Sequence, residues 1–228
     1  EWKEHLVSCR YAPATINGML SALNSFFSYF GWQECRVKAL RVQRRAFRDP
    51  SRELTREEYE HLIETARLLG RERLALVLET IGATGVRVSE VRYLTVEAAR
   101  SGRAEISLKG KIRTILLPGK LCRKLLKYAR KEKIASGEVF RTGGGKSLSR
   151  KQIWSEMKNL CHHAGVEPSK VFPHNLRHLF ATVFYRACGD IVKLADVLGH
   201  SSIETTRIYL LTSGAELIRT LDRLRLVC

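Results

Sequence analysis

Apolar residues recur at intervals of three and four through most of the 228-residue chain, which is the period of an amphipathic helix. Residues 104–108 and 112–117 differ, because apolar and polar residues alternate there or β-branched residues follow one another. These two segments flank Lys109-Gly110-Lys111 and so predict a β-hairpin. We therefore expect a mainly α fold with a small antiparallel β-sheet. The helices are predicted at 13–30, 55–69, 71–83, 119–135, 149–164, 174–188, 190–198, 202–211 and 213–224.

A change in composition divides the chain into two parts. Gly31 ends the first long helix, and a polar stretch rich in arginine follows as far as Asp49-Pro50. One helical hairpin is too small to stand alone. Residues 1–48 are therefore predicted to be the C-terminal part and linker of a helical domain that begins before Glu1. Residues 49–228 are predicted to form the second domain.

Basic residues dominate the charge, with 40 Lys and Arg against 23 Asp and Glu, a formal net charge of +17. Such an excess favours a polyanionic partner, because each neutralised phosphate releases counterions. The alternative is a protein that is merely basic and soluble. No run of about 18 apolar residues suggests a membrane span. The six cysteines form no CxxC pair, and we expect reduced thiols.

Four short segments place basic or hydroxyl side chains beside turns or on one helix face. They are TGVRVSE (84–90), HNLRH (174–178), LGHSS (198–202) and TTRIY (205–209). Arg87 follows a glycine turn, and a guanidinium binds phosphate through a two-pronged fork. His174 and Arg177 are three residues apart, so both can reach one phosphate from a helix.

Each segment also has an ordinary structural interpretation. Arg87 could be a salt-bridged arginine, and Tyr209 could be a core tyrosine. His174 and His178 could bind a metal, but a third ligand and the carboxylate of an HExxH motif are missing. The segment GGGKS imitates a phosphate-binding loop, yet Phe140 stands where that motif needs its first glycine, so we expect a flexible loop.

The order and spacing of these motifs resemble the tyrosine recombinase (phage integrase) family over about residues 51–213. The segment LGHSSIETTRIY is especially typical. The resemblance implies that family's catalytic domain, preceded by part of its helical core DNA-binding domain. It also implies six catalytic residues, which are Arg87, Lys109, His174, Arg177, His200 and Tyr209.

The lysine has an alternative within the hairpin. The hairpin sequence KGKIRTI is one residue shorter than the family pattern, so that Lys111 competes with Lys109. We assign Lys109, because Lys111 and Arg113 then match the basic positions that follow in the family.

These residue types suit attack on a phosphodiester. Arg87 and Arg177 could clamp the non-bridging oxygens, with a hydrogen bond from His200. Tyr209 would attack, His174 would accept its proton, and Lys109 would protonate the leaving oxygen. The product would be a 3′-phosphotyrosine and a free 5′ hydroxyl, formed without a cofactor, metal or ATP.

The resemblance also implies partners for the chain. They are a double-stranded DNA recombination site and three further protomers, with strand exchange through a Holliday junction and a C-terminal helix docked into a neighbour. It implies a cytoplasmic, nucleoid-associated protein of a bacterium. DNA contacts are expected from six basic residues, which are Arg41, Arg44, Arg45, Arg48, Lys111 and Arg113.

The expected activity is site-specific recombination that integrates or excises a mobile element. Three alternatives share the fold or the chemistry. They are an accessory factor that only binds DNA, a type IB topoisomerase and a chromosome-dimer resolvase.

Overall fold

The computed structural model describes residues 1–41, 50–108, 111–210, 218–219 and 222–224. The chain divides into two compact units, residues 1–46 and 47–228, and each is described separately. The described part is mostly helical with one two-stranded antiparallel sheet, which confirms the fold class predicted from the sequence. No helix within these ranges is long and apolar enough to cross a membrane.

The first unit consists of α1 (Trp2–Ser8), α2 (Pro13–Tyr29) and a 3₁₀ turn (Gln33–Cys35). Proline at the first position of α2 suits a helix start, because its missing N–H would be unpaired there anyway. Leu6, Ile16 and Leu20 form the small buried core. The sequence predicts α2 but not α1, which has only seven residues and one buried side chain.

The second unit contains eight helices within the described ranges. They are α3 (Arg56–Leu68), α4 (Glu72–Thr84), α5 (Val96–Ser101), α6 (Gly119–Lys131), α7 (Arg150–Ala164), α8 (Pro173–Cys188), α9 (Ile191–Leu198) and α10 (Ile203–Arg207). The described part of this unit also has three 3₁₀ turns: Pro50–Arg52 precedes α3, Val88–Tyr93 joins α4 to α5, and Ile208–Leu210 follows α10. Most predicted helices are confirmed to within a few residues.

Side-chain caps fix several of these helix starts as the sequence predicts. Thr55 and Glu58 form a reciprocal capping box at α3, with hydrogen bonds of 2.9 and 3.1 Å between side chain and backbone. The Ser149 hydroxyl accepts from the backbone N–H of Gln152 at the start of α7. The GGGKS segment lies in a turn that the isolated antiparallel bridge between Arg141 and Ser147 closes, and no parallel strand precedes α7 among the described residues. It therefore lacks the strand–loop–helix context of a phosphate-binding loop.

The predicted helix over 202–211 is wrong in its second half. Helix α10 ends at Arg207, and Ile208–Leu210 continues as a tighter 3₁₀ turn that contains Tyr209. Helix α5 and the turn Val88–Tyr93 have six residues each, too few for a helical period to be visible in the sequence. Most of the helix predicted at 213–224 lies outside the described residues.

Helix α4 runs through the centre of the second unit and is apolar on almost every side. Its buried residues include Leu74, Val77, Leu78 and Ile81, and it packs against α3, α6, α7 and α8. A helix that is apolar all round belongs in a core rather than at a surface. The core therefore fixes the C-terminal end of α4, from which the chain turns at Gly85 into Arg87.

The hairpin pairs β1 (Arg103–Leu108) with β2 (Lys111–Leu116), each within one residue of the predicted strand at every end. Ala104 pairs with Ile115 and Ile106 with Arg113, so these residues share one face of the sheet. Ala104, Ile106 and Ile115 are buried, whereas Ile112 on the other face is exposed. This register directs Arg113 toward the interior of the unit.

Gly85 is expected to be sensitive to any side chain. Its φ of +64° is left-handed, and a Cβ would lie 2.9 Å from Leu198 Cδ2 and 2.8 Å from Phe180 Cε1. Gly85→Ala should lower the free energy of unfolding by about 2–5 kcal/mol, from the backbone penalty and the overpacking together. Urea denaturation measures the change.

Gly102→Ala is the matched control, because Gly102 has φ +74° and no atom lies within 4 Å of the position that a Cβ would take. Only the backbone penalty of about 1–2 kcal/mol applies there. Equal losses of stability in the two variants would contradict the packing described at Gly85.

Candidate active site

Arg177 joins the ends of two helices from a buried position in α8, where it is 3% exposed. Its guanidinium donates to the carbonyl oxygens of Gly85, at the end of α4, and Leu198, the last residue of α9. Carbonyl groups at helix C-termini carry partial negative charge, which stabilises a cation there. Burial lowers the pKa of Arg177 to about 10, so the side chain stays charged at neutral pH.

Arg87 is held at the start of the Val88–Tyr93 turn by a buried carboxylate. Its Nη1 donates to Glu90 Oε1 at 3.0 Å, and its backbone N–H donates to Glu90 Oε2 at 2.9 Å. The Arg87 side chain nevertheless remains 42% exposed. Glu90 therefore fixes the direction of a guanidinium that still has one side open to a ligand.

Arg113 contacts the same carboxylate from strand β2. Its Nη2 donates to Glu90 Oε2 at 2.5 Å, and its Nη1 donates to the carbonyl oxygen of Leu198. The side chain is 18% exposed. Burial lowers the pKa of Arg113, while the charge of Glu90 opposes this. Arg113 was predicted to contact DNA, but this guanidinium is directed into the protein.

His200 is a neutral imidazole with a defined tautomer. Its Nε2 lies 2.9 Å from Arg177 Nη2, and its Nδ1 lies 2.8 Å from the hydroxyl oxygen of Thr206. Because arginine can only donate, Nε2 accepts and Nδ1 carries the proton. Burial first, and then the charges of Arg177 and Arg87, lower the pKa of His200 to about 4.

Tyr209 lies among three histidines and is only 4% exposed. Its ring centroid is 5.5 Å from that of His174, 5.3 Å from His178 and 5.7 Å from His200, and the His200 ring is nearly parallel to it. A hydrogen bond with Tyr209 raises the pKa of Arg177, against the larger effect of burial. The tyrosine side chain thus interacts with the most buried arginine of the site.

His174 is the second residue of α8, one turn before Arg177. Burial of its ring, and then the charge of Arg177, lower the pKa of His174 below its usual value. The imidazole beside Tyr209 is consequently neutral at pH 7 and able to accept a proton.

Together these side chains form an anion-binding arrangement beside a tyrosine. They comprise two guanidinium groups, two neutral imidazoles and a phenol. The site lies near the ends of α4 and α9, the first turns of α8 and the Ile208–Leu210 turn. Within the described ranges, no group of three or more His, Cys, Asp or Glu residues could hold a metal ion. The geometry suits binding of a phosphate-like group and attack on it.

Sequence comparison places this arrangement in a known family. The phage integrase family model matches residues 52–214, which is most of the chain. This chain belongs to the phage integrase family. It is therefore a tyrosine site-specific recombinase, as the resemblance of its motifs implies.

Relatives of this recombinase cover nearly all of the chain. Tyrosine recombinase XerA of Pyrococcus furiosus is 32% identical over 225 residues, which are 95% of this chain and 76% of the relative. Among solved structures, XerH recombinase bound to palindromic difH substrate in a post-cleavage complex has a TM-score of 0.72 at 23% identity. That match covers 92% of this chain and 65% of XerH.

A transposon enzyme has the same fold. The Tn1549 transposon integrase in complex with transposon right-end DNA matches with a TM-score of 0.70 at 17% identity, over 99% of this chain and 84% of the integrase. At these identities the two solved structures establish the fold of the recombinase.

The structure brings five of the six predicted catalytic residues together: Arg87, His174, Arg177, His200 and Tyr209. The sixth, Lys109, lies outside the described residues, and Lys111 begins strand β2. Of the predicted DNA contacts, Arg41 is exposed in the first unit, whereas Arg44, Arg45 and Arg48 lie outside the described residues.

Sequence reasoning missed two side chains that support the site. Glu90 follows Arg87 by three residues, and this spacing is a local signal for an ion pair. Thr206 is fully buried, and its hydroxyl accepts the Nδ1 proton of His200. A hydroxyl six residues after a histidine carries no comparable signal.

Thr206→Val is expected to slow DNA cleavage by the recombinase about tenfold to a hundredfold. Valine keeps the shape but removes the hydroxyl that hydrogen-bonds to His200 Nδ1, so the imidazole is no longer held in one direction. Single-turnover cleavage of saturated DNA measures the effect. Thr205→Val, the same change at an exposed neighbour, is the control, and equal rates in both variants would contradict this role.

Proposed function

We propose that this recombinase cuts and rejoins DNA strands by attack of Tyr209 on a phosphodiester, leaving a 3′-phosphotyrosine and a free 5′ hydroxyl. The observation that carries the proposal is the position of the buried Tyr209 ring, which stacks on the ring of His200 at 5.7 Å, while His200 Nε2 lies 2.9 Å from Nη2 of the charged Arg177. This arrangement places a phenol next to a cation that is suited to hold the phosphate under attack.

Arg177 retains a donor for a phosphate after its contacts with the protein. A guanidinium has five N–H groups. Bonds to Gly85, Leu198 and His200 use one N–H on Nη1 and both on Nη2. The interaction with Tyr209 uses one of the two that remain, so one N–H is left to bind a phosphate oxygen.

Arg87 supplies the second positive group. Its exposed side gives a phosphate access to a guanidinium that Glu90 holds in place. As attack proceeds, negative charge grows on the non-bridging oxygens, and donors fixed in advance stabilise it without reorganisation. Arg87 and Arg177 thus lower the barrier more than they strengthen binding of the uncleaved strand.

His174 and His200 are proposed to move or donate protons. Neutral His174 accepts the phenol proton as Tyr209 attacks. His200 donates to a non-bridging oxygen from Nε2, and because its proton lies on Nδ1 in this structure, phosphate binding has to shift it. Lys109 protonates the leaving 5′ oxygen, with Lys111 as the alternative.

The bond energy retained in the phosphotyrosine allows a second strand to attack it without ATP, and the arginines provide charge stabilisation without a metal. We place this chemistry in the integration or excision of a mobile element, in the bacterial cytoplasm at the nucleoid. Four protomers act on two double-stranded sites through a Holliday junction and exchange their C-terminal helices. Arg41, Arg44, Arg45, Arg48 and Lys111 contact the DNA backbone.

A nicked suicide substrate tests the proposal. The recombination site is first selected from randomised duplexes by rounds of binding, and it is then nicked so that cleavage releases a short oligonucleotide. Wild-type protein in EDTA should accumulate a covalent protein–DNA band. Cleavage that needs added divalent metal, or cleavage without a covalent species, would contradict the proposed mechanism.

A further inference from the structure

We infer that Arg113, in the middle of the hairpin, is a positioning residue of the recombinase, which fixes the two phosphate-binding arginines relative to each other. This role rests on the function proposed above. It differs from the DNA contact that the sequence predicts for Arg113, and each of the two roles has its own experimental signature.

The location of Arg113 favours a contact within the protein. It pairs in register with Ile106, which is buried, and so lies on the inward face of the hairpin. Both terminal nitrogens of its guanidinium donate to protein acceptors, Nη2 to Glu90 and Nη1 to Leu198. The side chain is 18% exposed, so little of the guanidinium is accessible to a DNA phosphate.

The two acceptors of Arg113 are the groups that hold the phosphate-binding arginines. Glu90 accepts from Arg87 as well as from Arg113, and the Leu198 carbonyl accepts from Arg177 as well as from Arg113. Arg113 therefore connects two parts of the active site that are far apart in sequence, Glu90 and the carbonyl of Leu198. A shift of its guanidinium would move Glu90 and the end of α9 relative to each other.

Gly199 provides independent evidence of tight packing around Arg113. Its φ is +64°, and a Cβ there would lie 2.6 Å from Arg113 Cδ. Glycine thus leaves room for Arg113 directly beside the backbone that leads from α9 into His200. The same arginine consequently restricts the path of the chain that delivers His200 to the site.

Glu90 forms ion pairs with both Arg113 and Arg87. Without Arg113, this buried carboxylate would have Arg87 as its remaining ionic partner among the described residues. A buried charge that is left under-compensated is costly, so Arg87 would turn further toward Glu90 and away from a phosphate. Loss of Arg113 should therefore weaken Arg87 function without removing Arg87.

The same contacts tie the hairpin to the active site. Lys109 and Lys111 precede Arg113 by four and two residues in the sequence. Strand β2, which Arg113 anchors, is thus the strand that follows the proposed acid.

Arg113→Gln and Arg113→Lys distinguish the two roles. For a positioning residue, we expect the Kd for the DNA site and its salt dependence to stay within about twofold of wild type. The single-turnover cleavage rate of the saturated complex should fall about 30–100-fold in both variants. Lysine should not restore the cleavage rate, because one ammonium group cannot replace a guanidinium that bonds to Glu90 and Leu198 at the same time.

A DNA contact would give the opposite pattern and overturn the inference. Kd would then rise, the salt slope would fall by about one, and the saturated rate would be unchanged. Wild-type binding together with a wild-type rate would also overturn it. Arg103→Gln, on the exposed face of β1, is the control for loss of a hairpin arginine.

Folding and the proposed function are tested in parallel. Arg113→Lys keeps a positive charge beside Glu90, so it provides the measurement if Arg113→Gln does not fold. The wild-type protein and Tyr209→Phe are assayed on the same substrate. Absence of an adduct from wild type would refute the proposed function, whereas an adduct that forms equally fast in the Arg113 variants would refute only the positioning role.

Discussion

Tyr209→Phe is expected to abolish the covalent protein–DNA adduct, a loss of at least about 10⁴-fold in cleavage rate. Phenylalanine keeps the ring packed against His178 and His200 but removes the attacking oxygen. Since only the interaction of the hydroxyl with Arg177 is lost, the free energy of unfolding should change by only about 1 kcal/mol. Denaturing gels of the suicide-substrate reaction measure the adduct.

Tyr185→Phe is the matched control, because Tyr185 packs against the same apolar cluster as Tyr209. It should cleave at the wild-type rate, and both variants should bind DNA as wild type does. An adduct that persists in Tyr209→Phe would show that another residue is the nucleophile.

Arg177→Lys should reduce cleavage by about 10³-fold although the positive charge is retained. Lysine has no planar fork, so it cannot bond to the ends of α4 and α9 and to a phosphate at the same time. Removal of one fixed donor to developing charge typically costs about 10²–10³ in rate, and here several donors are lost together. Single-turnover rates with saturating DNA measure the effect.

The variant should also be less stable, by about 1–3 kcal/mol, because a carbonyl acceptor or the Nε2 of His200 is left unpaired in the interior. Arg186→Lys, an exposed change on the same helix, is expected to affect neither rate nor stability. A near-normal rate in Arg177→Lys would mean that charge alone is sufficient, and that the bonds to Gly85 and Leu198 do not matter.

Much of the fold follows from local patterns in the sequence. The capping box at Thr55 and the apolar periodicity of α4 and α7 depend on residues within a few positions of one another, so these elements were predicted well. The 3₁₀ turn around Tyr209 was not predicted. Its conformation depends on packing of the ring against helix α8, which the local sequence does not encode.

The active site likewise combines contacts between residues close in sequence with contacts between residues far apart. The pairing of Arg87 with Glu90 spans three residues and could have been predicted from their spacing. The bonds of Arg113 to Glu90 and Leu198 span 23 and 85 residues, so only the folded chain reveals them. Basic residues in a basic chain favour DNA contacts on average, whereas this guanidinium is 18% exposed and bonds to Glu90 and Leu198.

The most direct test of the central claim is to identify the amino acid that is linked to DNA. The adduct formed by wild-type protein would be digested with trypsin and nuclease and analysed by tandem mass spectrometry. We expect a nucleotide joined through its 3′ phosphate to Tyr209 in the tryptic peptide spanning 208–219, in which Tyr209 is the single tyrosine. A nucleotide on any other residue, or one joined through a 5′ phosphate, would contradict the mechanism.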